Sequence, residues 1–186
     1  MPNIVYFDLE TQRSFGEVGG FNQKHKMGVS VAVTYSTGSG EYRIYQENEM
    51  QALVDELTRA DLVVGYNHIG FDYGVLQSYT VFDLLETTTN FDMLVDVEQR
   101  LGHRLKLDAI ASATLGVGKT ADGILALKWW AEYKRNGDKE LLLKIAEYCC
   151  YDVKVTKMVH EYGVANGHIK YEDRNQKIVE LPVQWQ

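Results

Sequence analysis

Two carboxylates stand two residues apart in a short apolar run near the N-terminus, Val5-Tyr6-Phe7-Asp8-Leu9-Glu10-Thr11, and this placement constrains the fold more than any other feature. The run reads as a buried strand. Strand side chains alternate between faces, so Asp8 and Glu10 point the same way. Two like charges there repel each other, and burying them unpaired is costly. A hard divalent cation removes that cost, and carboxylate oxygens suit Mg²⁺ or Mn²⁺. The alternative is a strand end that turns both acids to water.

Two further clusters stand far along the chain. A long helical pattern, about Asp138 to Ala165, repeats apolar residues at Leu141, Leu142, Ile145, Ala146, Cys149, Val153, Val155 and Val159. Tyr148 and Asp152 are four apart in it and share a face. A tyrosine one turn before an aspartate can hold a water beside whatever the aspartate binds; alone, it is equally a half-buried ring on an amphipathic helix. In the middle, an apolar strand ending in Gly65-Tyr66 leads to Asn67-His68-Ile69-Gly70, a turn, and then Phe71-Asp72. Asp72 stands at a helix start, where it could simply interact with the helix N-terminus.

Taken in order, the three segments resemble motifs I, II and III of the DEDD exonucleases. Asp8 and Glu10 match Asp-x-Glu, Asn67, Phe71 and Asp72 match Asn-x-x-x-Phe-Asp, and Tyr148 and Asp152 match Tyr-x-x-x-Asp. The histidine subclass needs a histidine five residues before Asp152, where Glu147 stands, so the resemblance is to the tyrosine subclass. It is most similar to the proofreading domain of family-B DNA polymerases and its stand-alone relatives, over about residues 3 to 165. The resemblance implies a ribonuclease-H-like α/β fold, with a central five-stranded mixed sheet whose first three strands are antiparallel. It also implies a metal-dependent 3′–5′ exonuclease acting on single-stranded or frayed 3′ ends, with DNA favoured, and releasing nucleoside monophosphates. Two divalent cations, Mg²⁺ or Mn²⁺, would be held by Asp8, Glu10, Asp72 and Asp152, with Asp8 between them. Tyr148 would orient the attacking water, since free tyrosine titrates near pH 10. Phe71 and Thr11 would contact the substrate, and Asn67 would position motif II or contact the terminal nucleotide. The rival readings are an exoribonuclease trimming RNA 3′ ends and a non-catalytic nucleic-acid-binding domain with a relic site.

Composition fits a compact enzyme domain. The chain has 186 residues, 45% of them hydrophobic, and its two prolines are Pro2 and Pro182. One domain over 1–186 is the expectation, with 168–186 as a C-terminal hairpin extension. No run approaches transmembrane length, and the apolar N-terminus is too short and too acidic for a secretory signal, so no membrane and a cytoplasmic location are expected. The adjacent Cys149 and Cys150 point apart on a helix and do not suit a disulfide. Proteins that grip long duplexes by their phosphates are usually basic. A net charge of −7 argues against such a groove and suits a pocket for a chain end. Basic contacts would be local, as in the loop from Arg13 to Lys26, which carries Lys24 and His25. No polymerase or helicase domain stands in these residues, so a proofreading or processing role would need a separate partner.

Strands are expected at Ile4–Asp8, Gly28–Tyr35, Glu41–Tyr45 and Leu62–Tyr66, with a Ser-Thr-Gly-Ser-Gly turn at 36–40. A short strand or turn is expected near Phe91-Asp92. Helices are expected at Glu49–Arg59, Phe71–Tyr79, Leu94–Leu101, Leu107–Leu115, Gly123–Arg135 and Lys139–Ala165. A terminal hairpin would pair Ile169–Glu172 with Ile178–Val183. Leu115-Gly116-Val117-Gly118-Lys119-Thr120 looks like the end of a phosphate-binding loop, but Ala113 stands where that pattern needs glycine, and a helix precedes it. Of Trp129-Trp130, one is expected in the core and at most one free to stack a base. His68 reads as a solvated turn residue, and His25, His103, His160 and His168 lack zinc-ligand spacing. Asp92, Asp96 and Asp108 read as helix-start and surface acids.

Overall fold

The computed structural model describes residues 2–118 and 123–186; Lys119 and Thr120, from the stretch resembling a phosphate loop, lie outside the described residues. Its centre is a five-stranded mixed sheet. Strand β1 spans Ile4–Thr11, β2 Val29–Ser36, β3 Glu41–Tyr45, β4 Leu62–Gly65 and β5 Asn90–Asp92, in the spatial order β3-β2-β1-β4-β5. β1, β2 and β3 pair antiparallel in sequence; β4 and β5 add on the other side in parallel. The expected sheet, with its antiparallel start, is present.

β1 runs through the middle, and its alternation separates structure from chemistry. Val5, Phe7 and Leu9 turn to one face and pack with Leu53, Val54 and Leu57 of helix α2, Met50–Arg59. Tyr6, Asp8 and Glu10 turn to the other face. There Tyr6 packs with Val31, Val33, Ile145 and Cys149. The register of β1 on β2 shifts between Glu10 and Thr11. Such a bulge bends a strand and re-aims its side chains, and here it sits where the second carboxylate leaves the strand.

The opposite layer is dominated by one long helix, α8, Lys139–Asn166. Asp138 caps its start by accepting from the Glu140 amide at 2.9 Å, and Gly167 ends it in the left-handed region at φ 70°. α8 rests on β1, β2 and β4, and α7 (Gly123–Asn136) packs beside it. A third apolar cluster joins α5 (Met93–Leu101), α6 (Leu107–Leu115), the far half of α8 and the hairpin of β6 (His168–Glu172) and β7 (Ile178–Pro182). The expected terminal hairpin is therefore present. Trp185 follows it, stacks on His160 and donates from Nε1 to Asp96 at 2.8 Å.

Three expectations need correction, and one helical turn is additional. The helix expected at Phe71–Tyr79 is shorter, Asp72–Leu76 (α3). Tyr79 leaves the helical path, and its hydroxyl accepts from the Val29 amide at 3.0 Å and donates to Glu47 at 2.7 Å. The stretch from Arg13 to Lys26 is not a plain loop. It holds a helical turn, Phe15–Val18 (α1), closed by a Ser14–Glu17 capping box, and a 3₁₀ segment, Phe21–Lys26. A further turn, Leu84–Thr87 (α4), precedes β5. Trp129 and Trp130 are both half-buried against the same cluster, so they do not divide into one core and one free ring.

Candidate functional site

The site is assembled by β1, the turn after β4, and α8. One carboxylate oxygen from each of Asp8, Glu10 and Asp152 lies within 4.8 Å of the others. β1 supplies the first two through its period of two, and α8 supplies the third from the face it lays on the sheet. Tyr148, one turn earlier on that face, stands close enough to Asp152 for the acid to act on its hydroxyl. Cys149, between them in sequence, is buried beneath Asp8.

Asp72 stands outside this group of three. It is buried at the start of α3, and its Oδ1 accepts from the Leu9 amide at 3.2 Å. It nonetheless raises the Asp8 carboxyl electrostatically and shares a hollow with Asp8 and Glu10.

The electrostatics are those of acids crowded together and buried. Burial, then the charges of Asp72, Asp152 and Glu10, push the Asp8 carboxyl well above its usual range, while the Cys149 thiol pulls it back. Burial pushes Asp72 up to about 8. The Tyr148 hydroxyl is driven far above its ordinary value by burial and then by Asp152, Glu10 and Asp8. Such a cluster of hard oxygen donors fits divalent cations, whose charge reverses these shifts.

A cleft runs past the acids. One arm, about 490 Å³, is mostly apolar and is walled by Thr11, Phe15, Met27, Phe71, Ile124 and Leu127. That volume is usual for a small-ligand site. The other arm carries Arg104, Leu105, Lys106, Asp108, Tyr148 and Asp152. Both arms include Asp8, Tyr66, Asn67 and Gly123, so they meet at the carboxylates. Asp108 thus lies on the cleft wall rather than on the outer surface.

Of the expected substrate contacts, Phe71 and Thr11 line the apolar arm, though the Thr11 hydroxyl is bonded to the Arg13 carbonyl at 3.1 Å. Phe71 meets Phe15 edge to face, with centroids 5.6 Å apart. Asn67 stands at the junction in the left-handed region, φ 69°, and its Oδ1 accepts from Arg104 Nη2 at 2.6 Å.

Two residues of this region escape sequence reasoning. His68 is not solvated; it is 1% exposed and folds back over Gly65, where a Cβ would lie 2.7 Å from its Nδ1. Asp92 does cap α5, accepting from Leu94 at 3.0 Å, but it is buried. It also accepts from the amides of Asn67 at 2.7 Å and Ile69 at 3.1 Å. One carboxylate therefore fixes the whole turn that precedes Asp72. Asp96 likewise is no free surface acid, since it holds Arg100 and Trp185. Among the described residues, Cys149 and Cys150 are free thiols, and no helix is long and apolar enough to cross a membrane.

Residues 5–163 match the family model of the RNase H superfamily. Among solved structures, the chain is similar to the family B DNA polymerase from the hyperthermophilic archaeon Pyrobaculum calidifontis. The TM-score is 0.64 at 16% sequence identity, over 88% of this chain and 25% of the polymerase. The chain thus spans about a quarter of that polymerase's length, and at this identity the likeness is one of fold. No curated protein sequence matches the chain.

Proposed function

The chain belongs to the RNase H superfamily, and from that premise we propose that it is a metal-dependent 3′–5′ exonuclease of the DEDD tyrosine subclass. Its substrate is a nucleic acid with a single-stranded or frayed 3′ end, DNA in preference to RNA. The observation that carries the reading is the convergence of Asp8, Glu10 and Asp152 on one point, with Tyr148 beside Asp152 on the same cleft wall. The proposal takes residues 1–186 as one domain, with 168–186 as its hairpin extension, working in the cytoplasm with a separate polymerase or helicase.

Asp8, Glu10, Asp72 and Asp152 are the residues that would hold two divalent cations, Mg²⁺ or Mn²⁺. When bound, the ions supply Lewis acidity and a water acidic enough to yield hydroxide near neutral pH. Tyr148 cannot take that water's proton, because its own is held far too tightly. It orients the water through its hydroxyl. The apolar arm, with Phe15 and Phe71, receives the terminal base and excludes solvent from the scissile bond. Asn67 holds the nucleotide at the junction of the arms. Cleavage takes place at one chain end, so the acidic protein needs no duplex-length groove.

End-labelled single-stranded DNA and RNA with Mg²⁺ or Mn²⁺ test the reading. A 5′ label should give a ladder shortening from the 3′ end, chelation should stop it, and a bulky 3′ block should prevent it. Full hydrolysis in excess chelator, or immediate release of a labelled 5′ mononucleotide, would overturn it.

A further inference from the structure

We propose that Arg104 selects polynucleotides by holding the phosphate upstream of the scissile one, and that Asn67 and Tyr66 set it in place for that purpose. The inference rests on the nuclease reading and names a substrate feature which that reading leaves open.

Arg104 lies in the short connection between α5 and α6. Gly102 turns the chain out of α5 in the left-handed region, φ 72°. Two bonds then pin the connection to the turn after β4. The Tyr66 hydroxyl donates to the Leu105 carbonyl at 2.8 Å, and Arg104 Nη2 donates to Asn67 Oδ1 at 2.6 Å. The Arg104 side chain is 52% exposed, and its other neighbour, Glu98, stands 3.8 Å away and is exposed as well. That surface pair is weak. A guanidinium has five N–H donors in a rigid fork matched to phosphate, so the Asn67 bond fixes its direction and leaves donors to spare.

Its surroundings say what it would take. Among the described residues lining the cleft, Arg104 and Lys106 are the basic ones. They stand on the arm opposite the apolar one, across the carboxylates. A base in the apolar arm puts the scissile phosphate at the acids and the next phosphate in the basic arm. On a chain of net charge −7, this local pair of cations offers that phosphate an attraction.

The test compares two substrates and two readouts. One substrate is a single-stranded oligonucleotide; the other is the p-nitrophenyl ester of thymidine 5′-monophosphate, which has a scissile phosphate but none upstream. Arg104→Ala should raise the ratio of oligonucleotide KM to ester KM about tenfold, the scale of one charge-assisted hydrogen bond. Arg104→Lys, which keeps the charge and loses the fork, should fall between. Anisotropy with Ca²⁺ in place of Mg²⁺ should show the same weakening for the labelled oligonucleotide. An unchanged ratio and unchanged oligonucleotide affinity would overturn the role of Arg104 and leave the nuclease reading standing. Arg104-dependent binding with no hydrolysis by the wild type would uphold the contact and overturn the nuclease reading.

Discussion

The thiol of Cys149 lies directly under Asp8, 3.4 Å from its backbone carbonyl and 3.5 Å from its Oδ2. Asp8 is the acid on which the proposed site turns, and Cys149 donates to it from α8; the bond lowers the Asp8 carboxyl while burial and three acids raise it. Cys149→Ala should therefore move the acid limb of the pH–rate profile to higher pH. Cys149→Ser, which restores a donor, should move it back. Superimposable profiles for all three proteins would show that the thiol only fills space.

Asp8→Ala should remove nearly all hydrolysis and weaken Mn²⁺ binding by calorimetry, while the metal-free protein melts no lower than wild type, since repulsion is relieved. Tyr148→Phe keeps the ring and loses one hydroxyl. Its rate should fall about 10- to 1000-fold, the scale of one positioned group, with Mn²⁺ binding retained. The double variant should be no worse than Asp8→Ala, because groups acting as a unit are not additive. Full activity of Tyr148→Phe would reduce Tyr148 to a packing residue.

The raised acids make stability depend on pH in a definite direction. Asp72 titrates near 8 when folded, chiefly through desolvation, against about 3.9 when unfolded. The folded state thus binds this proton more tightly, and metal-free stability falls as pH rises between those values. His160 acts oppositely: buried, with its value lowered to about 4, it removes stability as pH falls below about 6.5. Melting in chelator should therefore drop from pH 6.5 to 8, where His160 no longer contributes. Asp72→Asn should flatten the drop, and Mn²⁺ should reverse it. An identical profile for wild type and Asp72→Asn would contradict the assignment.

Asp92→Ala strips acceptors from the amides of Asn67, Ile69 and Leu94. Leaving buried donors unpaired costs about 1–3 kcal/mol for each. The variant should melt well below wild type, and its surviving folded fraction should show a higher KM because Asn67 is no longer held. A wild-type melting temperature would show that water replaces the carboxylate.

Gly163→Ala sets two effects against each other. Alanine favours a helix over glycine by about 1 kcal/mol. A Cβ at Gly163, however, would lie 2.2 Å from Cε3 of Trp185, and overpacking costs about 1–3 kcal/mol. The clash should win, lowering the denaturation midpoint. A second change, Trp185→Ala, should then make Gly163→Ala stabilising; a loss of similar size in both backgrounds would exclude this contact as the cause.

What was legible in the sequence is what depends on local pattern. The alternation of Val5 to Glu10 marked a strand with both acids on one face, and the period of α8 placed Tyr148 beside Asp152. What escaped depends on distant pairing. Asp92 resembles any helix cap until β5 pairs with β4 and brings it under Asn67 and Ile69. His68 looks like a turn residue until Gly65 makes room for its ring. Arg104 carries no motif at all; its meaning comes from the bond to Asn67, across the gap between two loops.

The converging acids come from the first strand and the last long helix. A chain whose five sheet strands have been made still lacks both Tyr148 and Asp152 until α8 is added. The proposed site is therefore completed only by α8, although its first two acids stand on the first strand.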